Sequence, residues 1–214
     1  RLSICVIPEI PQDRGTRLWV TVPMSSSSVN EFAADEQDAL LALASTAIEQ
    51  GLIGKKDTPR PEKYNGALAA QGASFVTLNC DGKLRGCIGT LEAHQSLVVD
   101  VAENAWSAAF HDRRFSPLTA AEFPRIKIHI SVLTPASPVT FTSEQNLIEQ
   151  LRPGIDGLIL SLGQQRGTFL PSVWKALPDP VEFLQHLKKK AGLPADFWSD
   201  DIKIQRYRTI SITR

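Results

Sequence analysis

The sequence predicts an α+β fold built on a mainly antiparallel sheet. Two strand-like runs flank Asp81-Gly82, a dipeptide that closes tight two-residue hairpins. Helical and strand periodicities are interleaved along the chain, yet no G-x-G-x-x-G follows a strand as it does in dinucleotide-binding parallel sheets. The strongest strand pair is therefore local, and local pairing is antiparallel because a parallel pair needs a long crossover.

The 214 residues fit one large domain or two small lobes. Apolar residues make up 43% of the chain, enough for a substantial core. Lys and Arg (23) balance Asp and Glu (23), so the charge footprint of a nucleic-acid binder is missing and nucleic acid is disfavoured as a partner. No apolar run is long enough to span a bilayer. Cys5, Cys80 and Cys87 do not form a secretory disulfide pattern, and a reducing cytoplasm is the expected compartment. Residues 1–28, which hold Pro8, Pro11, Pro23, Met24 and a serine run, are expected to be a disordered or non-native N-terminal extension ahead of a domain over 29–214.

In chain order, Asp35 is the expected N-cap of a first helix whose apolar stripe is Leu40, Leu41, Ala44, Ala47 and Ile48, ended by Gly51. A Lys-, Pro- and Gly-rich linker runs from Gly54 to Gly66. The hairpin follows, Ala73–Cys80 against Lys83–Thr90. Regular pairing through the turn sets Cys80 opposite Lys83 and Val76 opposite Cys87, with Arg85 and Cys87 on one face. Cys80 and Cys87 then lie roughly 13 Å apart along the ladder, too far to bridge, and both are expected to be free thiols. A second helix spans about 96–110 with the stripe Leu97, Val98, Val101, Ala105, Ala108 and Ala109. After a charged loop, Thr119 and Glu122 form a capping box. Ile126, Ile128, Ile130 and Val132 alternate with polar residues as a half-buried strand. A short helix over about 143–151, a strand at Gly157–Leu162 and a turn at Gln164–Gly167 come next. Asp179 and Pro180 open a helix that Gly192 closes, and its Lys188-Lys189-Lys190 run reads as a solvated helix end. Ile202–Ile212 reads as one final strand.

Chemistry-bearing residues concentrate in Leu84-Arg85-Gly86-Cys87-Ile88-Gly89. Glycine weakens strand interiors, so two of them in six residues mark close approach of a backbone or a ligand. Cys87 reads as a thiolate stabilised by Arg85, or as a small buried hydrophobe. Arg85 reads as an anion clamp, or as half of a structural ion pair with an acid of the 111–114 loop. In that loop Asp112 is a candidate base or orienting group and Arg114 a candidate anion ligand, against a role in loop closure. His111 and Arg113 fit a helix C-terminus, where cations are favoured. His94, His129 and His186 make no metal pattern, and no metal or cofactor is expected.

This hexapeptide resembles the hallmark of the AMMECR-one domain family, whose bacterial members are called AmmeMemoRadiSam system protein A. Ala108-Ala109-Phe110 with Asp112, Arg114-Phe115 and Pro117-Leu118 is similar to a second family block. Ile130–Thr134, Gly154, Gly157-Leu158, Phe169–Val173 and Lys190–Leu193 resemble later ones. The resemblance implies a two-lobed α+β fold with a cleft between the lobes, lined by the hexapeptide. It carries over Arg85, Gly86, Cys87, Gly89, Asp112 and Arg114 as positions, without roles; by residue type, ligand binding is expected at Arg85, Gly86, Gly89 and Arg114 and catalysis at Cys87 and Asp112. The resemblance also implies genomic association, in bacteria and archaea, with a Memo-like protein and a radical S-adenosylmethionine protein, which are the expected partners. The expectation is an enzyme or enzyme subunit that binds a small anionic or nucleotide-like ligand; the alternative is a non-catalytic partner module for those proteins.

Overall fold

The structure is a computed structural model that describes Ser3–Ile4 and residues 32–213. The remainder of the expected N-terminal extension, Met24 included, lies outside the described residues, as does Cys5. Strands are β1 (Ser3–Ile4), β2 (Gln71–Gly72), β3 (Ser74–Cys80), β4 (Lys83–Gly89), β5 (Gln95–Ser96), β6 (Ile126–Leu133), β7 (Ser137–Pro138), β8 (Gly157–Leu162), β9 (Gln165–Phe169), β10 (Lys203–Tyr207) and β11 (Thr209–Thr213). Helices are α1 (Ala34–Leu52), α2 (Gly66–Ala69), α3 (Leu97–Phe110), α4 (Glu144–Gln150) and α5 (Pro180–Lys190).

One sheet has the order β1-β4-β3-β6-β11 and a second β7-β10-β8-β9, with a small β2-β5 pair beside them. Their ladders are antiparallel. The expected α+β class with mainly antiparallel pairing is what the molecule has.

Alternation along the strands builds the layers. Val76, Leu78, Ile88, Ile130, Val132 and Ile212 face α1 and α3 in one core. Leu158, Leu160, Phe169 and Ile204 face α4 and α5 in another. Phe75 and Cys87 of the first sheet meet Ile159 and Tyr207 of the second, with Leu170, in a seam between the sheets. The order is therefore helices, sheet, sheet, helices. Each fully buried aliphatic side chain in these cores contributes about 1.5–3 kcal/mol.

The stripes expected on the first two long helices are buried, and α3 buries Asp100, Ala102, Asn104 and Ser107 as well. Several boundaries differ. The cap of α1 is Ala33, not Asp35: the Glu36 carboxylate accepts the Ala33 N–H and does the work expected of an aspartate cap. Asp81 (φ 51°) and Gly82 (φ 80°) both lie in the left-handed region, as a type I′ turn requires. Beyond that turn the pairing slips. Asn79 still faces Leu84, but Leu78 faces Gly86, so Arg85 is the extra residue of a bulge and Cys87 stands opposite Thr77, not Val76. Cys80 and Cys87 do not bridge each other, as expected.

Of the expected turn Gln164–Gly167, Gln165–Gly167 belongs to β9, and the turn is at Gly163-Gln164. The single final strand is two. β10 pairs in the second sheet and β11 in the first, with Arg208 at the crossing. The chain also passes from β6 to β7 beside this point. The two crossings are tied by Thr134 N–H to Arg208 O (2.9 Å) and Arg208 N–H to Thr134 Oγ1 (2.9 Å). Lys188 is not solvated. It is fully buried, donating to Glu144 (2.5 Å) and to the Ala195 carbonyl (3.0 Å), and so clamps α5 to α4. Only Lys189 of the triplet is exposed.

Candidate functional site

The hexapeptide lies on β4 near the rim of the first sheet, and protein groups satisfy almost everything it presents. The bulge turns Arg85 toward the 116–122 segment. Its Nε donates to Glu122 Oε1 (2.7 Å), and its Nη2 donates to the Ser116 carbonyl (2.9 Å) and to Glu122 Oε2 (3.2 Å). Arg85 is thus half of a structural ion pair, but its acid is Glu122, not a member of the 111–114 loop. Glu122 also accepts the Thr119 N–H (2.9 Å) and the Thr119 hydroxyl (2.8 Å). The Arg85 guanidinium, then the Thr119 donors, pull the Glu122 carboxyl down to about 2.

Gly86 and Gly89 are approached by protein. A Cβ on Gly86 would sit 2.1 Å from the Ala108 carbonyl oxygen, so its absence lets the backbone of α3 lie on the strand. A Cβ on Gly89 would sit 2.3 Å from the Phe75 ring and 2.6 Å from the Ser74 carbonyl oxygen. Its absence lets Phe75 lie flat across the strand.

Cys87 is 1% exposed, in the seam with Phe75, Ile159, Leu170 and Tyr207. Its sulfur accepts the Thr77 hydroxyl (3.2 Å). Its backbone is held by the next two expected residues. Asp112 Oδ2 accepts the Cys87 N–H (2.8 Å) and Arg114 Nη2 donates to the Cys87 carbonyl (3.3 Å), while Arg114 grips both oxygens of Asp112 (2.9 and 2.6 Å). The pair imitates a neighbouring strand, supplying one acceptor and one donor to β4. Burial pushes the Asp112 carboxyl up. The Arg114 guanidinium and the Cys87 and Arg114 N–H groups outweigh it and leave the carboxyl below its usual range. His111 stacks on Trp106 with 4.4 Å between ring centroids, at the end of α3. Among the described residues no cluster of three or more His, Cys, Asp or Glu is arranged to hold a metal, and no helix is long and apolar enough to cross a membrane.

The strand continues into a cavity. Thr90, Leu91 and Glu92 follow Gly89 directly and, with Phe75 and His94, form one wall of a hollow of about 880 Å³. The facing wall comes from the second sheet and α5: Ser161, Gln164, Arg166, Thr168, Leu170 and Lys190. Arg166 and Glu92 pair across it, both exposed. None of Arg85, Gly86, Cys87, Gly89, Asp112 and Arg114 lines it. The hexapeptide bears on it from behind, through Phe75 and Thr90.

Thr90 is set by a network that the sequence did not point to. Buried Asp100 accepts the Thr90 hydroxyl, the Ser74 N–H (2.8 Å) and hydroxyl (2.7 Å) and the Asn104 amide (2.9 Å). Burial pushes the Asp100 carboxyl up against these hydrogen bonds. The only signal in the sequence was an aspartate and an asparagine four residues apart on the buried face of α3.

The AMMECR1 family model matches residues 41–212. The chain belongs to the AMMECR1 family. Among its relatives, a protein of Methanothermobacter thermautotrophicus is 37% identical over 183 residues, covering 83% of this chain and 93% of that one. Protein MJ0810 of Methanocaldococcus jannaschii is 38% identical over 172 residues, covering 77% and 83%. The crystal structure of the uncharacterised protein PH0010 from Pyrococcus horikoshii superposes with a TM-score of 0.75 at 33% identity, covering 82% of this chain and 89% of that one. Within this AMMECR1 domain, the hexapeptide, the Asp112–Arg114 pair and the Phe75–Thr90 wall form one connected unit.

Proposed function

We propose that this AMMECR1 domain binds a small anionic, nucleotide-like ligand in the hollow at the end of β4, and that the hexapeptide shapes this site without reacting in it. One observation carries the reading: Arg166, Lys190 and His94 converge with the polar side chains of Ser161, Gln164 and Thr90 on a cavity of about 880 Å³, a volume suited to a small molecule. The Arg166–Glu92 pair is exposed, and such pairs are worth at most about 1 kcal/mol, so a ligand anion displaces Glu92 at small cost. The burial of Cys87 argues for a binding module over a thiol enzyme. The Memo-like and radical S-adenosylmethionine partners expected from the family resemblance are part of the same proposal. They are tested separately, by co-purification and sizing of the assembled proteins.

The ligand is tested by calorimetric titration with ADP and with inorganic pyrophosphate. Saturable binding is expected, weakened at least tenfold by Arg166→Gln with Lys190→Met and kept within about threefold in Cys87→Ala. Binding that ignores Arg166 and Lys190, or that vanishes in a folded Cys87→Ala protein, overturns the reading.

A further inference from the structure

A second cavity, of about 750 Å³, opens elsewhere along the interface of the two layers, and Leu170 lines both. Its charged lining is one-sided. Lys175 and Arg208 line it, together with the imidazole of His129, and no aspartate or glutamate does. In a chain with equal numbers of acids and bases this is a local excess of positive charge. The side chains of Lys175 and Arg208 have no ion-pair partner among the described residues.

The two cations are placed by different elements. Lys175 ends the 3-10 segment Pro171–Lys175. Arg208 stands where the chain crosses from β10 to β11, its backbone fixed by the two hydrogen bonds to Thr134. Ser131, Ser172, Thr209 and Ser211 line the same cavity. His129 Nε2 is 3.3 Å from Ser131 Oγ. Burial, with Lys175 nearby, keeps the imidazole below its ordinary range, so at neutral pH it pairs with the serine hydroxyl as an uncharged group. The rest of the lining includes the apolar Leu170, Pro171, Trp174, Ile155 and Ile210, with Gln37, whose amide donates to the Phe32 carbonyl (2.8 Å).

We infer that this cavity is a second, independent site, for a small phosphate monoester with an apolar body. Two cations from separate elements match a dianion, and several hydroxyl-bearing side chains match its multiple acceptor oxygens. The apolar wall takes the organic part. This goes beyond the ligand proposed for the hollow at β4, because the two sites share no charged residue.

Phenyl phosphate is the probe, followed by titration calorimetry and by amide chemical shifts of the cavity residues. Saturable binding is expected, with inorganic phosphate and benzoate each at least fivefold weaker. Lys175→Met with Arg208→Met should weaken phenyl phosphate at least tenfold. The exposed control Lys127→Gln should leave it unchanged. Should the double variant fail to fold, Lys175→Glu alone alters an exposed side chain and is expected to cause a loss of similar size. The inference is overturned by any of three results: no saturable binding, affinity unaffected by either variant in a folded protein, or benzoate binding as tightly as phenyl phosphate. Because Arg166 and Lys190 are untouched, failure here leaves the other site standing, and the reverse holds.

Discussion

Arg85 and Arg114 on β4 and its flanking loop, and Arg166, Lys175 and Arg208 on the cavity walls, are held under different conditions. The first two are bound by carboxylates and carbonyls of their own chain, at distances from 2.6 to 3.3 Å. Of the wall cations, Arg166 has one exposed partner, and Lys175 and Arg208 have no ion-pair partner among the described residues. The comparison separates what a cation does from where a motif is found. A guanidinium whose donors are used by protein builds structure; one that faces a hollow without a fixed partner is available to a ligand.

Substitutions should divide along the same line, and the largest effect is expected at Gly86. A side chain there meets the Ala108 backbone carbonyl, which has no rotamer to adopt, so α3 must move. Gly86→Ala should destabilise the fold by about 2–4 kcal/mol, read as a lower urea midpoint. Asp112→Asn comes next. It removes the charge that holds Arg114 and weakens the acceptor for the Cys87 N–H, for a loss of about 1–3 kcal/mol by the same measurement.

Glu122 gives a pH test with a definite sign. Its folded-state pKa of about 2 lies below the ordinary 4.5. Its contribution is therefore complete above about pH 4.5 and is lost as pH falls toward 2. In Glu122→Gln that part of the acid dependence should vanish, with about 1–2 kcal/mol lost at neutral pH. The smallest effect on stability is expected at Arg166. Arg166→Gln should change it by less than about 0.5 kcal/mol, because the pair with Glu92 is exposed. The same variant should nonetheless contribute to weaker ADP binding. A large stability loss at Arg166 with no change at Gly86 would erase the contrast between the two regions.

Much of the fold was legible because it rests on local rules. The Asp81-Gly82 turn requires positive φ at both residues and has it. The stripes of α1 and α3 follow helical periodicity onto their buried faces. What was not legible depends on contacts distant in sequence. The bulge at Arg85 is set by the approach of α3 to Gly86 and by the capture of Arg85 by Glu122, thirty-seven residues away. The break at Arg208 leaves the apolar alternation of both halves intact, so the switch of sheets has no periodic signature. Lys188 sits on a helix end that looks solvated until Glu144 is packed beside it.

The candidate site divides in the same way. Its residues were found by type and spacing, and they do gather around Cys87. Spacing says nothing about which way an arginine points, and so it left open whether Arg85 and Arg114 meet a ligand or their own chain. The acids and carbonyls that capture them come from separate loops, and the basic cavity around Lys175 and Arg208 draws on elements far apart in sequence.

The central claim, that the hexapeptide thiol is packing and not a reagent, is tested most directly by the rate at which iodoacetamide modifies each cysteine of the native protein, resolved by peptide mass spectrometry. The account predicts that half-buried Cys80 reacts well before Cys87, which is protected until the protein unfolds. Alkylation of Cys87 in the native state, at a rate close to that of the unfolded chain, would contradict it.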